Sequence, residues 1–290
     1  MHQLASMPAE LLDGVVWGLI FALVALGLNL IFGLVRVINM AHGSLYMVGA
    51  MVGWYLARLS HSFWLALLAA PLVVGLLGIC LEWLVLRRTY RRDVVVGVLA
   101  TAGLLLVIDN ASLAIFGGVP ESIASPIAGS ISVAGTHYPL YRIAVAGIAL
   151  LSVVLLRLFL QRTGLGLWMR AVPQAPELAL AVGVPISRVN ALTVGLGAYF
   201  AGLAGVLAAP IVAVYYQMGL DILAPAFIVV VAGGMGSLGG TLVAALILGL
   251  SRGVLAAFVA PSAAEMLALL VLVPVLIFKP EGFFGGASSR

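Results

Sequence analysis

Residues 63–93 read FWLALLAAPLVVGLLGICLEWLVLRRTYRRD. An apolar run from Phe63 to Leu86 is followed at once by Arg87, Arg88, Arg91 and Arg92. A run of about 20 apolar residues spans a bilayer as a helix, because a helix satisfies its own backbone polar groups in hydrocarbon. Connections rich in arginine stay on the cytoplasmic side. The rest of the chain repeats this pattern.

Working outward, apolar runs cover Leu11–Val35, Val37–Ala57, Val94–Gly118, Ile143–Leu160, Val189–Val214, Ile222–Ala260 and Ser262–Phe278. Hydrophobic residues make up 64% and charged residues 8% of 290, against about 25% charged in soluble proteins. The mean hydropathy of +1.24 leaves no room for a soluble domain. A net charge of +4, split between loops, gives no patch for nucleic acid. Cys80 is the only cysteine, and its apolar setting predicts neither disulfide nor redox role. The start of the chain has Glu10 and Asp13 but no Lys or Arg, so the first helix is expected to be retained rather than cleaved.

With the N-terminus outside, Arg36, the four arginines of 87–92, Arg157, Arg162, Arg170, Arg188, Lys279 and Arg290 all fall inside. Only Arg58 and Arg142 fall outside, and Arg252 lies within a span. The expected fold is an all-α polytopic membrane bundle, a single domain over 1–290, with about eight or nine crossings and at least one broken or re-entrant helix. Residues 119–139 form an external loop and 161–188 a cytoplasmic one, with the C-terminus cytoplasmic.

Thirty-four glycines include the four-residue pairs Gly14/Gly18, Gly49/Gly53, Gly236/Gly240 and Gly249/Gly253, a spacing that lets helices approach closely. The run Gly233, Gly234, Met235, Gly236, Ser237, Leu238, Gly239, Gly240 cannot continue a helix at ordinary cost. It either lines a solute path or makes a cytoplasmic-side turn. Asn39 and His42, between Gly33 and Gly43, with Ser44 directly after, mark either a broken helix facing a cavity or a helix start capped by Asn39. Asp109, beside Asn110 in the fourth span, is expected to serve function or to pair with a neighbouring helix. Arg252 is the candidate partner.

No cluster has metal-ligand or nucleophile spacing, and the one lysine, Lys279, rules out a phosphate-binding glycine-lysine loop. The expectation is a non-enzyme without cofactor or metal. Within the cytoplasmic loop, Pro173 and Pro176 frame a helix start, Glu177 sits in its first turn, Ala179 and Gly183 share a small-residue face, and Pro185 ends it. Such a helix suits either a partner's groove or an inert surface.

These residues resemble a known family. Glu177, Ala179 and Gly183 are similar to the Glu-Ala-Ala–Gly coupling helix of ABC importer permeases. Gly27-Leu28-Asn29-Leu30-Ile31-Phe32-Gly33, then Arg36 through Gly43, resemble the first signature of branched-chain amino-acid permeases. So do Gly233 through Gly240 with Leu248-Gly249, and the ending Phe278-Lys279-Pro280-Glu281-Gly282-Phe283-Phe284-Gly285. The matches keep family order from about Gly14 to Gly286, and the chain looks like the smaller permease of a pair. Two positions depart. Ser44 stands where the family often has Glu after His-Gly, and Gln174 where an acidic residue is common.

The resemblance implies a multi-pass bacterial inner-membrane permease subunit surrounded by membrane lipid. Its partners would be two ATP-binding subunits that hydrolyse ATP, a homologous second permease and a periplasmic substrate-binding protein. Its substrates would be branched-chain or related amino acids, or amide, urea or carboxylic-acid analogues, moved by alternating access. The rival class is a self-sufficient secondary transporter or channel, but Asp109 is the only reasonable acidic candidate within a span for a coupling-ion site. An intramembrane enzyme lacks a convincing catalytic group.

Overall fold

The computed structural model describes residues 2–35, 38–90, 92–133, 135–279 and 281–284. Arg36, Arg91 and Arg290, used in the sidedness count, lie outside the described residues. The helices are α1 (His2–Val35), α2 (His42–Ser60), α3 (Phe63–Leu81), α4 (Arg87–Thr89), α5 (Val94–Phe116), α6 (Leu140–Arg162), α7 (Gly164–Gln174), α8 (Pro176–Ala181), α9 (Ile186–Ala208), α10 (Met218–Gly233), α11 (Leu238–Ala256) and α12 (Pro261–Phe278). A π-helical turn, Glu82–Leu86, joins α3 to α4.

Seven helices among the described residues are long and apolar enough to cross a membrane: α1, α3 with its extension, α5, α6, α9, α11 and α12. They are uniformly apolar because lipid and protein surround them alike. Short polar side chains cap three of them, α3, α5 and α11, and also the shorter α7. Ser62, Asp93, Thr163 and Ser237 each accept a hydrogen bond from a first-turn amide, filling donors that hydrocarbon would leave bare. In place of the expected open loop, residues 130–139 form a two-stranded antiparallel hairpin, β1 (Ser130–Val133) with β2 (Thr136–Pro139), Ser130 opposite Pro139.

Two helices make the centre. Burial covers 72% of the membrane window of α1 and 78% of that of α9, against 17% for α12 at the periphery. The glycine pairs explain the first contact. Gly14 and Gly18 of α1 meet Gly249 and Ala245 of the antiparallel α11, and a Cβ on Gly14 would stand 2.7 Å from the Gly249 carbonyl. Close backbone approach replaces the hydrophobic drive that lipid cannot supply. Gly49 and Gly53 likewise seat α2 on Gly202 and Val206 of α9. The pair Gly236/Gly240 is different: a Cβ on Gly236 would meet nothing and its φ is +87°, so it serves a turn, not helix packing.

The chain does not re-enter directly after α1. His42, the first residue of α2, places its Nε2 3.0 Å from the carbonyl of Val24. Val24 lies eleven residues before the end of α1, about 16 Å along its axis. α2 therefore begins beside the middle of α1, at mid-depth of the bundle, whereas the apolar pattern predicts a span from Val37.

Candidate functional site

Three separate stretches converge at the end of the bundle where α1 finishes. Asn29, 1% exposed in α1, accepts at Oδ1 from the Gly236 amide at 2.6 Å. Its Nδ2 donates to Thr241 Oγ1 at 2.6 Å and to the Ser237 carbonyl at 3.1 Å. One buried side-chain amide thus binds the connection between α10 and α11 from both sides, with every bond matched in polarity. The C-terminal segment closes over the same turn. Phe283 N donates to the Ala232 carbonyl at 2.8 Å, and Gly282, at φ +81°, lies against Gly234.

The glycine run is a tight helix–helix turn. Gly233 ends α10, Gly234 and Gly236 take φ +97° and +87°, and Ser237 Oγ caps α11 by accepting from Gly240 N at 3.2 Å. Gly233 and Gly240 pack backbone to backbone, while Met235, Gly236 and Gly239 are exposed. The positive φ values account for two of the glycines and close packing for two more. Gly239 alone has neither reason, since a Cβ there meets nothing.

The second polar site lies at mid-depth, where α2 begins. Asn39 Oδ1 accepts from Ala41 N at 3.1 Å, so it shapes a local turn two residues ahead and does not cap α2. A carbonyl only accepts, so His42 Nε2 carries the proton toward Val24 and Nδ1 faces inward as an acceptor, buried and without a partner among the described residues. Ser44 Oγ donates to Asp109 Oδ1 at 2.6 Å. Thr101 Oγ1 accepts from Met40 N at 3.2 Å. The re-entrant segment is thereby fixed to α5 at two heights, through Thr101 and Asp109. The start of α10 meets it there, Gly43 against Gly219. Just before α10, Tyr215 donates its hydroxyl to the Asp221 carboxylate, and burial followed by that bond pushes its pKa up to about 12.

Arg252 does not pair with Asp109. It sits one turn before the end of α11, with its guanidinium 4.2 Å from the Trp17 ring centroid and Nη2 3.8 Å from Glu265 Oε2. The distance along α11 explains the difference: Asp109 faces the mid-depth start of α2, while Arg252 is near the opposite end from the glycine turn. A charge pair that sequence reasoning missed lies at the Asn29 end. Glu82, fully buried on the π turn, takes Arg87 Nη2 at 2.9 Å and the Tyr90 hydroxyl at 3.0 Å. Burial, then the Glu82 carboxylate, raises the Tyr90 pKa and keeps it a donor. The signal was available: Glu82, Arg87 and Tyr90 are the polar residues where an apolar helix ends.

Between α6 and α9 the chain makes two helices, not one. α7 buries Gly166, Met169 and Val172, and α8 follows with Pro176 at its start. Val184 N bonds the Ala179 carbonyl at 2.9 Å and Gly183 N that of Leu180 at 3.0 Å, a Schellman ending with Gly183 at φ +82°. Ala179 is buried against its own chain, which overturns the expectation of an outward small-residue face. What α8 presents is Glu177 with Leu178 (69% exposed), Leu180 and Val182 (78%). At the far end of the bundle, Trp54, Arg58, His61, Trp64 and Glu121 line an open cleft of about 880 Å³.

Residues 10–276 match the family described as branched-chain amino acid transport system / permease component. The chain is 25% identical over 299 residues to the high-affinity branched-chain amino acid transport system permease protein LivH of Salmonella typhimurium, covering 98% of this chain and 97% of that protein. It is 26% identical over 301 residues to BraD of Pseudomonas aeruginosa, a protein of the same description, covering 98% of both. A putative glucose ABC transporter permease protein, TsgC13 of Haloferax volcanii, is 30% identical over 212 residues, 69% of this chain and 62% of that protein.

Proposed function

The chain belongs to the branched-chain amino acid transport permease family, and from that membership we propose that it is the membrane-spanning subunit of a binding-protein-dependent ABC importer. Its substrates are branched-chain or related amino acids, taken across a bacterial inner membrane. ATP is hydrolysed on two partner subunits, a homologous permease completes the pathway, and a periplasmic binding protein delivers the solute.

The observation that carries this reading is α8. A helix outside the seven long apolar ones exposes Leu178 and Val182, one turn apart, beside Glu177. Apolar side chains one turn apart on a short, rigidly ended helix suit a groove in a soluble partner. The Schellman ending turns the chain tightly from α8 into α9, which begins at Ile186, so a push on α8 reaches a central helix of the bundle. Glu177 and the exposed edge of α8 are the proposed coupling surface, with Ala179 and Gly183 as its internal supports.

In the proposed topology the N-terminus is outside and the C-terminus inside. The seven long apolar helices, with the less apolar α2 and the shorter α10 that start within the bundle, make nine passes. The solute path runs past the mid-depth start of α2 (Asn39, His42, Ser44) to the exposed glycines of the turn between α10 and α11. Motion of the coupling surface alternates access between the two ends. Proteoliposomes holding the assembled complex test this: leucine uptake should require binding protein outside and ATP on the side of the ATPases. Uptake by the chain alone, driven by an ion gradient, would replace the proposal with a secondary transporter.

A further inference from the structure

Two charge pairs among the described residues are built in opposite ways, one around the fully buried Glu82 and one around Arg252, whose partner Glu265 is 39% exposed. Glu82 receives two guanidinium nitrogens and a phenol, so its acceptor sites are filled from within the chain. Arg252 and Glu265 approach only to 3.8 Å, beyond hydrogen-bond range, and neither side chain makes a hydrogen bond among the described residues. Arg252 is 17% exposed, its Nη1 is buried without an acceptor, and one face of the guanidinium is covered by Trp17. A buried guanidinium carries five donors in a fixed fork, and leaving them empty is costly.

The space beside the pair has a definite character. Phe21, Pro225, Leu248, Ala268 and Leu269 line it, with about 160 Å³ of empty volume, too narrow as it stands to hold water. It lies among α1, α10, α11 and α12, and α12 is the least buried of the long helices, packing chiefly on α11 and α10. A ligand larger than water could enter this space only with an outward displacement of α12.

We propose that Arg252 and Glu265 form a receiving site for an aliphatic α-amino acid, its carboxylate taken by Arg252, its ammonium by Glu265, and its side chain laid on Phe21, Leu248 and Leu269. The site rests on the importer reading above and places solute entry at the end of the bundle opposite the glycine turn. The argument is one of charge balance. A zwitterion seated between a cation and an anion adds no net charge to an apolar cleft and gives both groups the hydrogen bonds they lack. A carboxylic acid without the amine, or an amine without the carboxylate, satisfies one group and leaves the other uncompensated.

The test uses membranes carrying the assembled transporter, with Cys80→Ser and Leu269→Cys in this chain, and follows alkylation by N-ethylmaleimide. At leucine about four times its dissociation constant, one fifth of the clefts stay free and the rate falls about fivefold. 4-Methylpentanoate and 3-methylbutylamine at the same concentration should give little protection, and Glu265→Gln should abolish the protection by leucine. Equal protection by all three compounds would overturn the proposal, leaving a merely apolar slot. So would protection by phosphatidylethanolamine vesicles without leucine, which assigns the pair to a lipid headgroup. Leucine uptake is measured on the same membranes: uptake without protection removes the site and keeps the importer, and protection without uptake does the reverse.

Discussion

Asn29 Oδ1 holds the amide of Gly236 at 2.6 Å across 207 positions of sequence, and the same side chain donates to Ser237 and Thr241. A single amide in the central helix therefore sets the geometry of the α10–α11 turn, on which the C-terminal segment also rests. Replacing Asn29 with Leu keeps the volume and strands the Gly236 amide. The loss of three buried bonds should lower stability by about 2–4 kcal/mol, read as a fall in the thermal midpoint of the detergent-solubilised protein. Thr241→Val removes one of the three and should cost about 1 kcal/mol. Equal effects of the two variants would mean that Asn29 does not act as the shared anchor.

Gly236 is a poor probe of the solute path, because its φ of +87° makes any side chain strained. Gly239 is the better one. An added side chain there meets nothing within the chain, so Gly239→Trp should leave the folded yield unchanged. If the turn borders the path, uptake per assembled complex drops to that of membranes lacking the transporter. Normal uptake would make the glycine run a structural turn alone.

Ser44 and Asp109 join the re-entrant segment to α5, and their contact needs an acceptor rather than a charge. Asp109→Asn retains an oxygen opposite Ser44 and should give near-normal yield and uptake. Ser44→Ala leaves the buried carboxylate without its donor and should cost about 1–3 kcal/mol. Loss of uptake in Asp109→Asn with normal folding would show that the charge itself serves transport.

Sidedness is open to thiol labelling in a Cys80→Ser background. Thr89 is unsuitable, being 6% exposed and bonded to the Leu86 carbonyl, so shielding there says nothing about the membrane. Arg92→Cys and Ser125→Cys are both exposed positions. An impermeant reagent added to intact cells should modify Ser125→Cys and spare Arg92→Cys. The reverse would place α8 outside and end its coupling role.

Much of this was legible in the chain because a bilayer imposes such strict rules. Apolar runs located the long helices, though the start of α1 and the end of α9 differ by several residues. The glycine spacing marked faces for close packing, two of which the structure joins between α1 and α11. The failures have one source, which is that a residue's partner is not written beside it. Gly183 looked like part of a small-residue face, but it ends α8 with a positive φ. The cue was the Pro185 that follows two positions on. Arg252 and Asp109 were paired as the obvious opposite charges, whereas their depths differ and a serine from the re-entrant segment comes first. The 130–139 hairpin is too short and too weakly alternating to stand out from a polar loop. Asn29 was visible only as part of a motif, although a lone amide within an apolar helix already asks for buried partners.

The central claim is that this chain is moved by ATPases that grip α8. Affinity purification of the tagged chain from membranes, with and without Val182→Arg, tests it most directly. Val182 is 78% exposed, so the substitution should not disturb folding. The account predicts an ATP-binding subunit in the wild-type preparation and its loss from the variant, at equal yield of the membrane subunit. An ATP-binding subunit retained by the variant with undiminished substrate-stimulated hydrolysis, or absent from both preparations while uptake continues, would contradict it.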